Sequence, residues 1–187
     1  MWSSLTLLPM RSQVHKNADF VLGMWQSCSG REGNGHREEV DAEVVVSYMG
    51  ANSGYSSSEA LVKMYDAMMD YSTSGQFIAV GFHMGHIVFP SGNERDYWTD
   101  DYCSKMTDAF GRKYLDLQSV GARDADYIFE ELGISKTSLD EELISQNKWP
   151  SSWQTNYINN VHPNGYGSKA IAIMIKQRMQ ELGYLDY

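Results

Sequence analysis

Basic residues are scarce in this chain: 15 lysines and arginines stand against 24 aspartates and glutamates, for a formal charge of -9. Proteins that hold a nucleic-acid backbone usually show a basic face, so this balance reads against such a partner. Cysteine is scarcer still. Cys28 and Cys103 cannot make a disulfide framework, show no metal-ligand spacing, and leave the compartment undetermined. No run approaches the roughly 18 apolar residues of a membrane span. The opening "MWSSLTLLPMRSQ" has a short apolar run with no basic stretch ahead of it, which reads against a signal peptide. No repeat, low-complexity tract or linker divides the 187 residues, so one domain over 1–187 is expected.

What the sequence does contain is a globular composition, 42% hydrophobic and 12% aromatic, arranged as alternating elements. "ADFVLGMW" (18–25), the β-branched "AEVVVSYM" (42–49) and "QFIAVGF" (76–82) read as buried strands. "KYLDLQSV" (113–120) reads as a weaker, alternating fourth strand. Leu61, Met64, Tyr65 and Met68 recur at helical spacing and predict a helix over 58–71, with Ser58 as its N-cap. Tyr102, Met106 and Phe110 fall on one face of a helix over 98–110. Two short helices follow, near "ADYIFEEL" and "SLDEELIS". The last helix carries Ile171, Met174, Ile175, Met179 and Leu182 in one stripe, with Gly183 suited to the position past its end. Such alternation predicts a three-layer α/β/α sandwich around a mostly parallel sheet. A ligand site is then expected in the crevice beyond the carboxyl ends of the strands.

Two loops place polar groups there. In "GANSGYSS", Gly50 permits a tight exit from the second strand, and Asn52 either donates its amide to an oxyanion or forms an Asx-type turn. In "NNVHPNGYG", His162 precedes a turn that the last helix would hold against the core. It is either a loop residue or a general base.

"VVVSYMGANSGYSSSEALVKMYDAMMDY" resembles the third block of the SGNH (GDSL-like) hydrolases, and "NNVHPNGYGSKAIAIMIKQRMQELGYL" is similar to their fifth block, Asp-x-x-His with its terminal helix. "FIAVGF" and "AFGRKYLDLQSV" stand where the intervening strands belong, so the resemblance runs over residues 42 to 187. It implies a flavodoxin-like fold, Asn52 as oxyanion-hole amide and His162 as catalytic base. The reaction it implies is hydrolysis of an ester, often an acyl group on a carbohydrate or lipid, with no metal or organic cofactor.

The chain departs from the family twice. Asn159 stands where the family has aspartate, three residues before His162; its oxygen can orient an imidazole but cannot offset imidazolium charge. In a serine protease the comparable change costs about 10⁴ in turnover. No Gly-Asp-Ser occurs, and only 17 residues precede "ADFVLGMW", too few for the family's first strand and crossover. A shortened N-terminal part is therefore expected, with an exposed sheet edge that promotes self-association. The nucleophile stays unassigned, with Ser27 and Ser29 as its candidates. The second oxyanion glycine is equally open among Gly30, Gly33 and Gly35.

Other features are less specific. His83 and His86 in "GFHMGHIVF" suggest pocket or loop residues, or two ligands of a metal that lacks further partners. Tyr55, Trp98, Trp149 and Trp153 read as a sugar-binding cleft or as packing. The acidic run "SLDEEL" reads as a solvated first helical turn. The leading expectation is an SGNH-type serine esterase. A catalytically inactive SGNH-fold binding module, or a fragment without a nucleophile, is the alternative, and a metal-dependent hydrolase using His83 and His86 the third.

Overall fold

β-Branched and aromatic residues concentrate in the segments that pair. The computed structural model of the chain describes residues 20–23, 44–48, 57–70, 72, 74–83, 86–88, 94–96, 98–155 and 162–185. Its strands β1 (Phe20–Gly23), β2 (Val44–Tyr48), β3 (Phe77–Val80) and β6 (Tyr114–Leu115) form one sheet in that order, every pair parallel. β1 pairs with β2 from Phe20↔Val44 to Gly23↔Ser47.

Alternation along the strands divides the core in two. Val44, Val46, Ile78, Val80 and Leu115 pack with α3 (Leu117–Arg123), α4 (Ala125–Leu132) and α6 (Gly165–Glu181). Phe77, Ala79 and Tyr114, pointing the other way, pack with α1 (Ser58–Met69) and α2 (Asp100–Phe110). The expected stripes are the buried ones: Leu61 and Tyr65 on α1, Tyr102, Met106 and Phe110 on α2, Ile171, Met174 and Met179 on α6. The chain is an α/β protein with a parallel main sheet.

Two expectations are corrected. The N-cap of α1 is Ser57, whose hydroxyl accepts from the Ala60 amide; Ser58 is the first helical residue. The fourth strand stops at Leu115, because the Asp116 carboxylate accepts from the amides of Gln118 and Ser119 and so starts α3. The apparent alternation over 113–120 thus spans a strand and a helix start. Between β3 and α2 the chain also makes an antiparallel pair, β4 (His86–Val88) with β5 (Glu94–Asp96), which the apolar pattern does not announce.

The remaining helix, α5 (Ser138–Ser145), leads to a 3₁₀ turn at Ser151–Trp153 and on to α6. Gly183, at φ +70°, lies just past the end of α6, as its spacing predicts. Among the described residues no helix is long and apolar enough to cross a membrane.

Candidate functional site at the carboxyl edge of the sheet

A parallel sheet delivers every strand end to one edge. Here Tyr48 ends β2, while β3 continues from Val80 through Gly81 and Phe82 to His83. Gly81 is required there, because a Cβ would lie 2.8 Å from the ring of Tyr114. His83 is buried, with its Nδ1 2.6 Å from the Tyr48 hydroxyl and its ring 4.7 Å from that of Trp149. Burial pushes the Tyr48 phenol above its ordinary range, so the hydroxyl keeps its proton. The pair ties the end of β2 to the chain leaving β3.

Trp149 links this edge to the turn before α6. Its indole N–H donates to the Leu117 carbonyl at 2.7 Å, and its ring packs at 5.4 Å against Trp153. Gly121 makes room, since a Cβ at that position would be 2.5 Å from Trp149 Nε1. The Trp153 carbonyl then accepts from the Asn164 amide at 3.0 Å. Asn164 works in two directions: its Nδ2 donates to the carbonyls of Ser152 and Gln154, and its Oδ1 accepts from Gly167 N, capping α6. Gln154 and Pro163 form an antiparallel bridge, and the Thr155 amide donates to the His162 carbonyl at 3.3 Å. His162 is therefore an exposed side chain on a segment, His162 to Asn164, whose backbone is held by residues 153–155.

The far end of α6 fixes its direction. Arg178 Nη1 donates to the carbonyls of Arg112 and Tyr114, both at 2.7 Å, where β6 begins. With Asn164 linked through Trp153 and Trp149 to the end of β3, and Arg178 at the start of β6, α6 runs against the strands. Its first turn, preceded by His162, stands at their carboxyl edge. Comparison of the chain with protein-family models, with curated proteins and with solved structures finds no match.

Of the residues singled out in the sequence, His162 and His83 fall within the described regions and both belong to this edge. Asn52, Asn159, Ser27, Ser29, Gly30, Gly33, Gly35, Gly50, Tyr55 and Cys28 lie outside the described residues, as does the side chain of His86. Among the described residues no group of three or more histidine, cysteine, aspartate or glutamate side chains is placed to hold a metal ion. Of the candidate cleft aromatics, Trp149 and Trp153 are buried packing residues, and Trp98 is partly buried with its indole N–H on Asp116 at 2.9 Å.

Sequence reasoning missed three groups. Tyr48 reads simply as a strand residue, and nothing local announces its partner 35 positions away. Asn164 sits in "HPNGYG", where an N-cap reading was open three positions before Gly167. Asp140 was expected in a solvated turn but is fully buried, whereas its neighbours Glu141 and Glu142 are exposed. The signal for it was the Thr137-x-x-Asp140 spacing of a capping box.

Proposed function

We propose that this chain is a serine ester hydrolase of the SGNH type, built as a three-layer α/β/α sandwich, with His162 as general base and Asn52 as oxyanion donor. The observation that carries the reading is topological. β1 and β2 are parallel neighbours and α6 runs against them, so the ends of β1 at Gly23 and of β2 at Tyr48 and the segment bearing His162 belong to one edge. Ser27 and Asn52 each lie four residues beyond their strand ends, and Ser29 six beyond Gly23. A four-residue tether reaches at most about 14 Å.

In this reading Ser27 or Ser29 attacks the ester carbonyl through Oγ while His162 takes its proton. The Asn52 amide donates to the oxygen that becomes negative, and the imidazolium returns the proton to the departing alcohol. Water, activated by the same imidazole, then releases the acid. The residues supply the chemistry without a cofactor, and the substrate class is an acylated carbohydrate or lipid. Asn159 offers orientation without countercharge, which sets turnover below that of an aspartate-bearing site. A catalytically inactive binding module is the second reading, favoured by Asn159 and by the lack of Gly-Asp-Ser.

A fluorophosphonate probe tests this directly on the 187-residue protein. The expected result is one labelled serine, Ser27 or Ser29 by peptide mapping, with labelling abolished in His162→Ala. Folded wild-type protein that takes no label would overturn the esterase reading and leave the binding module.

A further inference from the structure

Asp140 is a fully buried carboxylate with no part in the reaction proposed above. Its oxygens accept from five donors: the amide and hydroxyl of Thr137, the hydroxyl of Ser151, and the amide and hydroxyl of Ser152, all at 2.6–2.8 Å. The two Thr137 bonds are local: the one from the amide, with the return bond from the Asp140 amide to the Thr137 hydroxyl, makes the capping box of α5 and would suffice for the helix. The three others reach 11 and 12 residues along the chain and fasten α5 to the 3₁₀ turn at Ser151–Trp153.

That turn carries the His162 turn. The Ser152 carbonyl accepts from Asn164 Nδ2, the Trp153 carbonyl from Asn164 N, and Gln154 bridges Pro163. On the other side, a Cβ at Gly167 would meet the Trp153 carbonyl at 2.1 Å, so the first turn of α6 lies directly on this backbone. A displacement of Ser151 and Ser152 therefore has no slack before it reaches His162. Glu141, in the same first turn, is exposed.

We propose that Asp140 is a positioning residue for His162, holding the 151–154 backbone on which the histidine's turn is built. Its catalytic consequence rests on the esterase reading; its structural content does not. The chain has asparagine at the position where the resemblance expects an aspartate, which gives the histidine no countercharge there, and the backbone around His162 adds to its positioning. Asp140 contributes to that positioning without touching substrate or imidazole.

Three variants separate positioning from plain stability. Thr137→Ala removes the hydroxyl that accepts from the Asp140 amide at the cap of α5, and keeps the bonds to Ser151 and Ser152. Asp140→Asn keeps the volume but leaves only one carboxyl-type oxygen for two backbone amides. Should Asp140→Asn fail to fold, the double variant Ser151→Ala/Ser152→Ala cuts the same connection from the other side. Hydrogen–deuterium exchange of the Thr155 and Asn164 amides, whose acceptors are His162 and Trp153, reads the geometry without any need for activity. Corrected for global stability, exchange of both amides is expected to rise at least tenfold in Asp140→Asn or the double variant, and to stay within twofold of wild type in Thr137→Ala. Fluorophosphonate labelling should fall about tenfold in the former and hold in the latter. Equal exchange in all variants would overturn the proposal. Faster exchange in a protein that the probe never labels would uphold the clamp and remove the esterase reading.

Discussion

Asp140 also sets an acid limit on the fold. Burial by itself would raise its carboxyl, but the hydrogen bonds from Ser152, Thr137 and Ser151 win and hold it at about 2, against an ordinary 3.8. A depressed folded-state value means that the stabilisation is complete above the unfolded value and is lost as pH falls through the folded one. The window is therefore from about pH 4 down to about pH 2, and the contribution at stake is about 2 kcal/mol. Urea unfolding midpoints of wild type and Asp140→Asn should differ most at pH 6 and converge as pH drops to 3 and below. A gap that stayed constant over this range would show that the carboxylate charge does not matter. At this scale the sequence was legible where a residue's role depends on near neighbours. His162 stands out because the proline and glycines that follow it are turn formers. Asp140 does not, because its burial is decided by Ser151 and Ser152, which the chain brings back only after α5.

The elements were more legible than their ends. Helical stripes on α1, α2 and α6 are properties of 3.6-residue spacing, and each stripe found the core it implied. Boundaries failed where a short polar side chain competes for backbone groups, as Asp116 does by capping α3 inside an apparent strand. The β4–β5 pair was missed for a different reason: three-residue strands are too short to show a period. Close helix packing is likewise invisible in the sequence until the partner is known. Gly167 is such a position, since its added Cβ would collide with backbone rather than with a yielding side chain. Gly167→Ala is expected to lose about 1–3 kcal/mol, the usual range for overpacking, as the first turn of α6 lifts from Trp153. Because His162 lies just before that turn, probe labelling should fall together with the chemical-denaturation midpoint. Unchanged stability would show that α6 does not press on Trp153 as described.

At the scale of the molecule, α6 joins two edges with different duties. Its amino end is fastened to the carboxyl edge of the sheet through Asn164, and its carboxyl end to the start of β6 through Arg178. The alternation of strands and helices let the sequence anticipate a parallel sheet with such an edge. It could not show that one helix spans both, because Arg178 finds its acceptors 64 and 66 residues earlier in the chain. This arrangement separates stability from function. Arg178→Ala removes two charge-assisted hydrogen bonds to carbonyls, worth about 1.5–3 kcal/mol each before water compensates for the freed acceptors. A net loss of about 2 kcal/mol is expected, read as a lower urea midpoint with an unchanged slope. At temperatures where the variant remains folded, labelling by the fluorophosphonate should match wild type, because the turn bearing His162 is held from the opposite end by Asn164, Trp153 and Asp140. A loss of labelling in folded Arg178→Ala would mean that the two ends of α6 move as one body, and that the helix transmits strain across the sheet instead of isolating the site from it.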